Sequence, residues 1–215
     1  MLKFEKPDYK VKEYVKEKYK KEGNVYIGLV HRLDRPVGGI MVFARTSKAA
    51  KRLNEQIKKH EFNKTYVAVL DGNLNKEKGK LVNYLYKDER LKKSFVTSKD
   101  NKNAKLSELE YETIGHINCK TIVKINLITG RHHQIRVQLS SRQHSIYGDQ
   151  KYGGRGHGKQ ICLWAYKLTI QHPISKEEMV FMAVPEKEKS WKSARRRSLC
   201  SVTRKNSRRR KMGKH

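Results

Sequence analysis

The stretch Thr121-Ile122-Val123-Lys124-Ile125-Asn126-Leu127-Ile128, running on into Thr129-Gly130-Arg131-His132-His133-Gln134-Ile135-Arg136, decides how this chain is read. Val123, Ile125 and Leu127 alternate with Lys124 and Asn126, the period of a strand with one buried face. Thr129-Gly130-Arg131 turns the chain, and residues 132–141 fit a helix. Upstream, residues 106–113 read as a neighbouring strand. Thr65-Tyr66-Val67-Ala68-Val69-Leu70 is β-branched and aromatic and ends at Asp71-Gly72, a strand followed by a turn. Between them lies a Lys- and Asn-rich stretch with short strand candidates at 81–86 and 93–97, expected to be an exposed basic meander. Downstream, Tyr147-Gly148-Asp149 and Tyr152-Gly153-Gly154 mark a glycine-rich loop. Cys162, Trp164, Tyr166, Leu168 and Ile170 then alternate through a long strand, His172-Pro173 turns it, and residues 179–184 complete a hairpin.

Toward the N-terminus the period changes. Asp8 is placed to cap a helix to about residue 19, with Val11, Tyr14, Val15 and Tyr19 on one stripe, and Gly23-Asn24 stops it. Residues 25–30 form a short strand, and 40–45 another. Thr46-Ser47 caps a second helix that turns Ala50, Leu53 and Ile57 inward. Strands outnumber helices and mostly follow one another. The fold class is therefore α+β, a mixed and mainly antiparallel central sheet flanked by helices and loops.

Charge narrows the partner. The 215 residues carry 50 Lys+Arg against 21 Asp+Glu, a formal +29. Such an excess fits a polyanion, because each Lys or Arg set against a phosphate releases counterions. Nucleic acid is the favoured polyanion and a membrane surface second; no run approaches the roughly 18 apolar residues of a membrane span, and no membrane partner is expected. Cys119, Cys162 and Cys200 are widely spaced and odd in number, without a C-x-x-C, which argues against a zinc site or a disulfide framework. Cys119 and Cys162 are expected to be small buried residues of a reducing, cytoplasmic protein. His132-His133 and His157 lack Cys or acidic partners at ligand spacing, so no metal is expected. Composition shifts near the end. Residues 1–190 read as one domain and 191–215 as a basic, unfolded tail, with 10 of the 50 basic residues and no acidic one within 195–215.

The stretch His31-Arg32-Leu33-Asp34-Arg35-Pro36-Val37-Gly38-Gly39 sets one carboxylate between two arginines, just before the apolar run Ile40-Met41-Val42-Phe43-Ala44. Pro and Gly-Gly shape a loop that feeds a strand. Opposite charge nearby is expected to keep Asp34 ionised, as a nucleophile, a base, or a structural ion-pair partner.

Four motifs in order resemble the RluA-like family of RNA pseudouridine synthases, whose catalytic domain the chain is similar to over roughly residues 9–185. The family's H-R-L-D motif resembles His31-Arg32-Leu33-Asp34 and the residues up to Gly39. Its K-x-Y strand resembles Lys64-Thr65-Tyr66, its T-G-R-x-H-Q-I-R the run from Thr129 to Arg136, and its G-D-x-x-Y-G the run from Gly148 to Gly153. The resemblance implies isomerisation of uridine to pseudouridine in structured RNA, rRNA or tRNA, by a cytoplasmic monomer needing no metal or organic cofactor. It implies that Asp34 is the catalytic aspartate, acting on the nucleotide or on a ribose proton. Tyr66 would stack on the base and help remove the C5 proton. Arg136 would pair with Asp34, and Arg131 would stand nearby as a second cation. Arg32 would fill the gap left by the swung-out uridine, and Arg35, Arg131 and His133 would also contact RNA.

Departures from the pattern accompany the match. The family's first strand pair, with its Asn-Lys-Pro-x-Gly segment, is not seen, which predicts a sheet short of a strand and reduced stability. Val37-Gly38 stands where small hydroxyl residues are usual, and Gln143-His144-Ser145 where a Gly-x-Pro turn is. The alternative these departures raise is an RNA-binding protein of the same fold with little or no catalysis.

Overall fold

The chain alternates in period as its sequence demands. A computed structural model describes residues 7–74, 76–156, 160–185 and 191. Its elements are α1 (Pro7–Lys18), β1 (Gly28–Leu29), β2 (Gly38–Gly39), β3 (Phe43–Ala44), α2 (Ser47–Lys58), β4 (Asn63–Asp71), β5 (Lys78–Asp88), β6 (Lys93–Thr97), β7 (Lys105–Ile117), β8 (Lys120–Leu127), α3 (Gln134–Ser140), β9 (Leu163–Gln171) and β10 (Glu178–Met182). They fall into two compact units, one of residues 1–33, 41–62 and 169–180, the other of 34–40, 63–168 and 181–215. The expected tail, from residue 192 onward, lies outside the described residues, whereas Trp191 is buried.

In the first unit, α1 starts at Pro7, a residue suited to a first helical position because its fixed φ matches the helix and its missing N–H is not needed there. Asp8, expected to precede the helix, is its second residue. Only Val15 of the expected stripe is buried. Tyr14 and Tyr19 are exposed, and the Arg45 guanidinium sits 4.0 Å from the Tyr19 ring centroid. In α2 the Thr46 hydroxyl accepts the Ala49 N–H at 3.1 Å, the cap expected there. Its buried face holds Leu53 and, unexpectedly, Gln56. The Gln56 amide donates to the Gln171 carbonyl (2.9 Å) and accepts the Gln171 N–H (3.0 Å), so a polar side chain is satisfied in the interior by mimicking a strand partner.

The second unit is built on the sheet. β8 runs antiparallel to β4 on one side and β7 on the other, β5 is antiparallel to β7 and β6, and β2 lies parallel to β9. The strand order is β10–β9–β4–β8–β7–β5–β6, eight strands with β2 included. The basic meander is thus an ordered part of this sheet, with β6 at one edge. Val67, Ala68, Leu70, Leu109, Ile122, Val123 and Ile125 form its core, all essentially inaccessible. Cys162 is buried among the strands, but Cys119 is exposed. Asn118 and Cys119 form the two-residue turn between β7 and β8, both left-handed (φ 45° and 55°), and a hairpin tip faces water. Among the described residues no helix is long and apolar enough to cross a membrane.

Candidate functional site

The candidate site lies wholly in the second unit and is assembled from β4, the loop before β2, the start of α3 and the glycine-rich loop. Asp34 opens a tight turn: its carbonyl accepts the Val37 N–H at 2.8 Å across Arg35-Pro36. Gly38 and Gly39 then pair with Trp164 and Ala165 of β9, and the Ile40 N–H donates to the Ala165 carbonyl at 3.0 Å. Gly39 has φ 125°, and a Cβ there would lie 2.4 Å from the Ala165 oxygen. Only glycine permits this approach, so the Gly-Gly step pins the loop that carries Asp34.

The turn before α3 is locked by Gln134, whose amide accepts from the Thr129 hydroxyl (2.8 Å) and the Arg131 N–H (3.0 Å) and donates to the Glu108 carbonyl (3.0 Å). The Thr129 hydroxyl in turn accepts the Glu108 N–H at 2.8 Å. The helix is seven residues long and buried from Gln134 to Leu139, shorter than the expected 132–141 because His133 is left-handed (φ 53°) at its N-cap. Arg136 is therefore an interior residue.

The Arg136 guanidinium forms a fork with Asp149, its Nε donating to Oδ2 at 2.8 Å and its Nη2 to Oδ1 at 2.7 Å. Its remaining Nη1 donates to Asp34 Oδ2 at 3.4 Å. The Asp149 side chain is fully buried, the Arg136 side chain is 6% exposed and the Asp34 side chain 27% exposed. The Tyr152 ring centroid stands 5.1 Å from Arg136 Cζ. Asp149 Oδ1 also accepts the Lys151 and Tyr152 N–H groups, and the loop bends at Gly148 (φ 81°), where a Cβ would meet the Gln160 carbonyl oxygen at 2.5 Å. One cation is shared between two carboxylates.

That sharing corrects an electrostatic expectation. Arg32 and Arg35, the sequence neighbours of Asp34, are both exposed, and the cation meeting its carboxylate is Arg136. Burial raises the Asp34 pKa above its ordinary value; Arg136 opposes this without reversing it, and the Asp149 charge adds to the rise. Burial first, and the Asp34 charge second, likewise raise the Tyr66 phenol, which works against a phenolate at this position. Burial, then Arg136 and His132, push the His133 imidazole down to about 3. His133 stacks on His132 at 3.7 Å between ring centroids, and its Nε2 lies 3.9 Å from Asp34 Oδ2. Chemically, the site offers a carboxylate of raised proton affinity, a buried aromatic ring and a neutral imidazole.

A profile of the family described as RNA pseudouridylate synthase matches residues 3–141. The chain belongs to that family. Among curated family members, the dual-specificity RNA pseudouridine synthase RluA of Haemophilus ducreyi is 36% identical over 163 residues, 72% of this chain and 72% of that protein. The ribosomal large subunit pseudouridine synthase D of Borreliella burgdorferi is 32% identical over 152 residues, 69% of this chain and 46% of that protein. The matching stretch thus spans about half of the second relative's length. The solved structure of human RNA pseudouridylate synthase domain containing 1 shares the fold, with a TM-score of 0.71 and 20% identity over 86% of this chain and 78% of that one.

Of the residues singled out by family resemblance, Asp34 and Arg136 meet directly, Asp34 acts electrostatically on Tyr66, and His133 stands beside Asp34. Arg131 does not join them: its Nε donates to the Leu106 carbonyl at 3.0 Å on an exposed flank. Arg32 belongs to the first unit and is exposed. Asp149, Tyr152, His132 and Ser94 were not assigned roles from sequence. The G-D-x-x-Y-G pattern pointed at Asp149 and Tyr152, but nothing local marks Ser94, a serine inside an edge strand.

Proposed function

We propose that this chain converts uridine to pseudouridine in structured RNA, with Asp34 as the catalytic aspartate. The reaction breaks N1–C1′, turns the freed uracil and joins C5 to C1′; the C5 proton leaves, N1 is protonated, and no net redox change occurs. It requires a carboxylate at the sugar, a surface for the detached base and exclusion of water. Asp34 supplies the carboxylate. Tyr66 supplies a ring against which the base stacks, a contact worth about 1–3 kcal/mol. Its phenol acts as an O–H donor, since burial and Asp34 favour the protonated form. Arg136 orients Asp34 and keeps enough positive charge nearby for it to ionise. Arg32, Arg35 and Arg131 are exposed and contribute to RNA docking, as the formal charge of +29 favours. The name of one relative, a ribosomal large subunit pseudouridine synthase, supports rRNA as the RNA; tRNA as the other candidate, and a cytoplasmic monomer, belong to the same proposal.

The observation that carries this reading is the Asp34–Arg136–Asp149 array on the family's motif positions. The test is incubation of the protein and of Asp34→Ala with rRNA and tRNA transcripts, followed by nucleoside analysis and a binding assay. Pseudouridine from the wild type and none from the variant, with both retaining RNA binding, is the expected result. Binding without product from either chain would replace this reading with that of a non-catalytic RNA-binding protein of the same fold.

A further inference from the structure

A chain of hydrogen bonds runs from the sheet edge to His133, whose ring stands beside Asp34, and the proposed reaction does not use it. β6 is an edge strand, so an outward N–H on it has no ladder partner. The Ser94 N–H, buried, donates instead to the Tyr152 hydroxyl oxygen at 2.8 Å. That oxygen also lies 3.0 Å from His133 Nδ1, toward which its own proton can turn. An Nδ1 that accepts leaves the ring proton of a neutral imidazole on Nε2. Nε2 is the nitrogen that faces Asp34 Oδ2, 3.9 Å away. The ring is held in plane by His132, whose Nδ1 lies 2.9 Å from the Ser94 hydroxyl while that hydroxyl donates to the His132 carbonyl at 2.8 Å. Both histidines are thus fixed through the same serine.

We propose that Ser94, Tyr152 and His133 form a relay that fixes the Nε2–H tautomer of His133 and aims that N–H at Asp34, making His133 a positioning residue for the carboxylate. The inference rests on the assignment of Asp34 as the catalytic group. The 3.9 Å gap exceeds a normal N–H···O bond by about 0.7 Å, and such contacts tighten when substrate closes a site. A neutral donor suits this place. A cationic imidazole beside Arg136 would add a second positive charge to a buried cluster, and burial with Arg136 drives His133 toward the neutral form. His133 is then a neutral ring holding the active carboxylate, in place of the RNA contact that the family resemblance implies. The titratable and charged groups facing the pair are Arg136 of α3, His132 just before that helix, Asp149, Lys151 and Tyr152 of the glycine-rich loop, Tyr66 of β4 and Lys87 of β5.

Nitrogen-15 NMR of the full chain labelled in histidine tests the relay without any activity measurement. His133 is expected to be neutral with a bare Nδ1 and a protonated Nε2 throughout the neutral pH range, and to lose that single tautomer in Tyr152→Phe. A His133 protonated at Nδ1, or cationic, in the wild type overturns the proposal, as does an unchanged tautomer in Tyr152→Phe. Carbon-13 titration of the Asp34 carboxyl gives the second readout. His133→Phe keeps the ring and removes the donor, so its midpoint moves up, and His133→Gln, which restores an N–H, brings it back. Equal midpoints in all three chains overturn the positioning role. These spectra are independent of turnover, so product formed by Asp34→Ala would defeat the assignment of Asp34 and leave the tautomer result standing.

Discussion

Replacing Asp149 with Asn isolates what the shared cation does. The substitution keeps shape but removes the charge that takes two of the three Arg136 contacts, at 2.8 and 2.7 Å, in a side chain with no exposure. Removing one partner of a buried ion pair costs about 3–5 kcal/mol. Here Arg136 keeps Asp34 at 3.4 Å and the amide oxygen still accepts one bond, which puts the cost at the lower end, about 3 kcal/mol. In a chain of this length each kcal/mol shifts the midpoint by about 2–4 °C, so thermal unfolding followed by circular dichroism should fall by about 6–12 °C. Activity should respond in a separate way. Asp149 raises the Asp34 pKa while Arg136 lowers it, so losing the first charge and freeing the second both favour ionised Asp34. The acid limb of the pseudouridine pH–rate profile should move to lower pH. A midpoint within about 2 °C of wild type, or an acid limb that stays or moves upward, would refute the shared-cation account.

Asp34→Asn should abolish turnover and stabilise the fold increasingly with pH. The folded carboxyl pKa is raised, so its ionisation disfavours the native state. That penalty is absent below the unfolded value near 3.9 and complete above the folded one. Urea unfolding across this range checks the sign, and a stability gap that narrows with rising pH would contradict it. Gly39→Ala should cost about 1–3 kcal/mol from backbone strain alone, and should stop pseudouridine formation by displacing the Asp34 loop; a wild-type chain by both measures would show the β2–β9 contact to be dispensable. Tyr66→Phe should bind RNA with unchanged affinity, since the ring remains, and turn over more slowly; equal rates would remove the hydroxyl from the chemistry. Deleting residues 195–215, with their ten basic residues, should flatten the dependence of log affinity on log salt. An identical slope would make that segment a bystander.

Much of the fold was legible because it is written in local repeats. The alternation of Val123, Ile125 and Leu127 becomes β8, the run from Thr65 to Leu70 lies within β4, and Thr46 caps α2 as its hydroxyl allows. The motifs also named Asp34, Tyr66 and Arg136 as a set. Local pattern misled where a neighbouring element decides. Tyr14 and Tyr19 share a stripe with Val15 but face solvent, and Gln56, polar by composition, is buried because Gln171 satisfies both ends of its amide.

The charge state of the site belongs wholly to the tertiary structure. From the sequence, Asp34 stands between Arg32 and Arg35 and reads as a carboxylate held ionised by its neighbours. In the fold those side chains are exposed, and its cation comes from Arg136, 102 positions away, already committed to Asp149. Which residues take part is set by side-chain chemistry, and that is written along the chain. How strongly a carboxylate holds its proton is set by burial and by distances between charges, and those exist only once the strands and the short helix have closed around it.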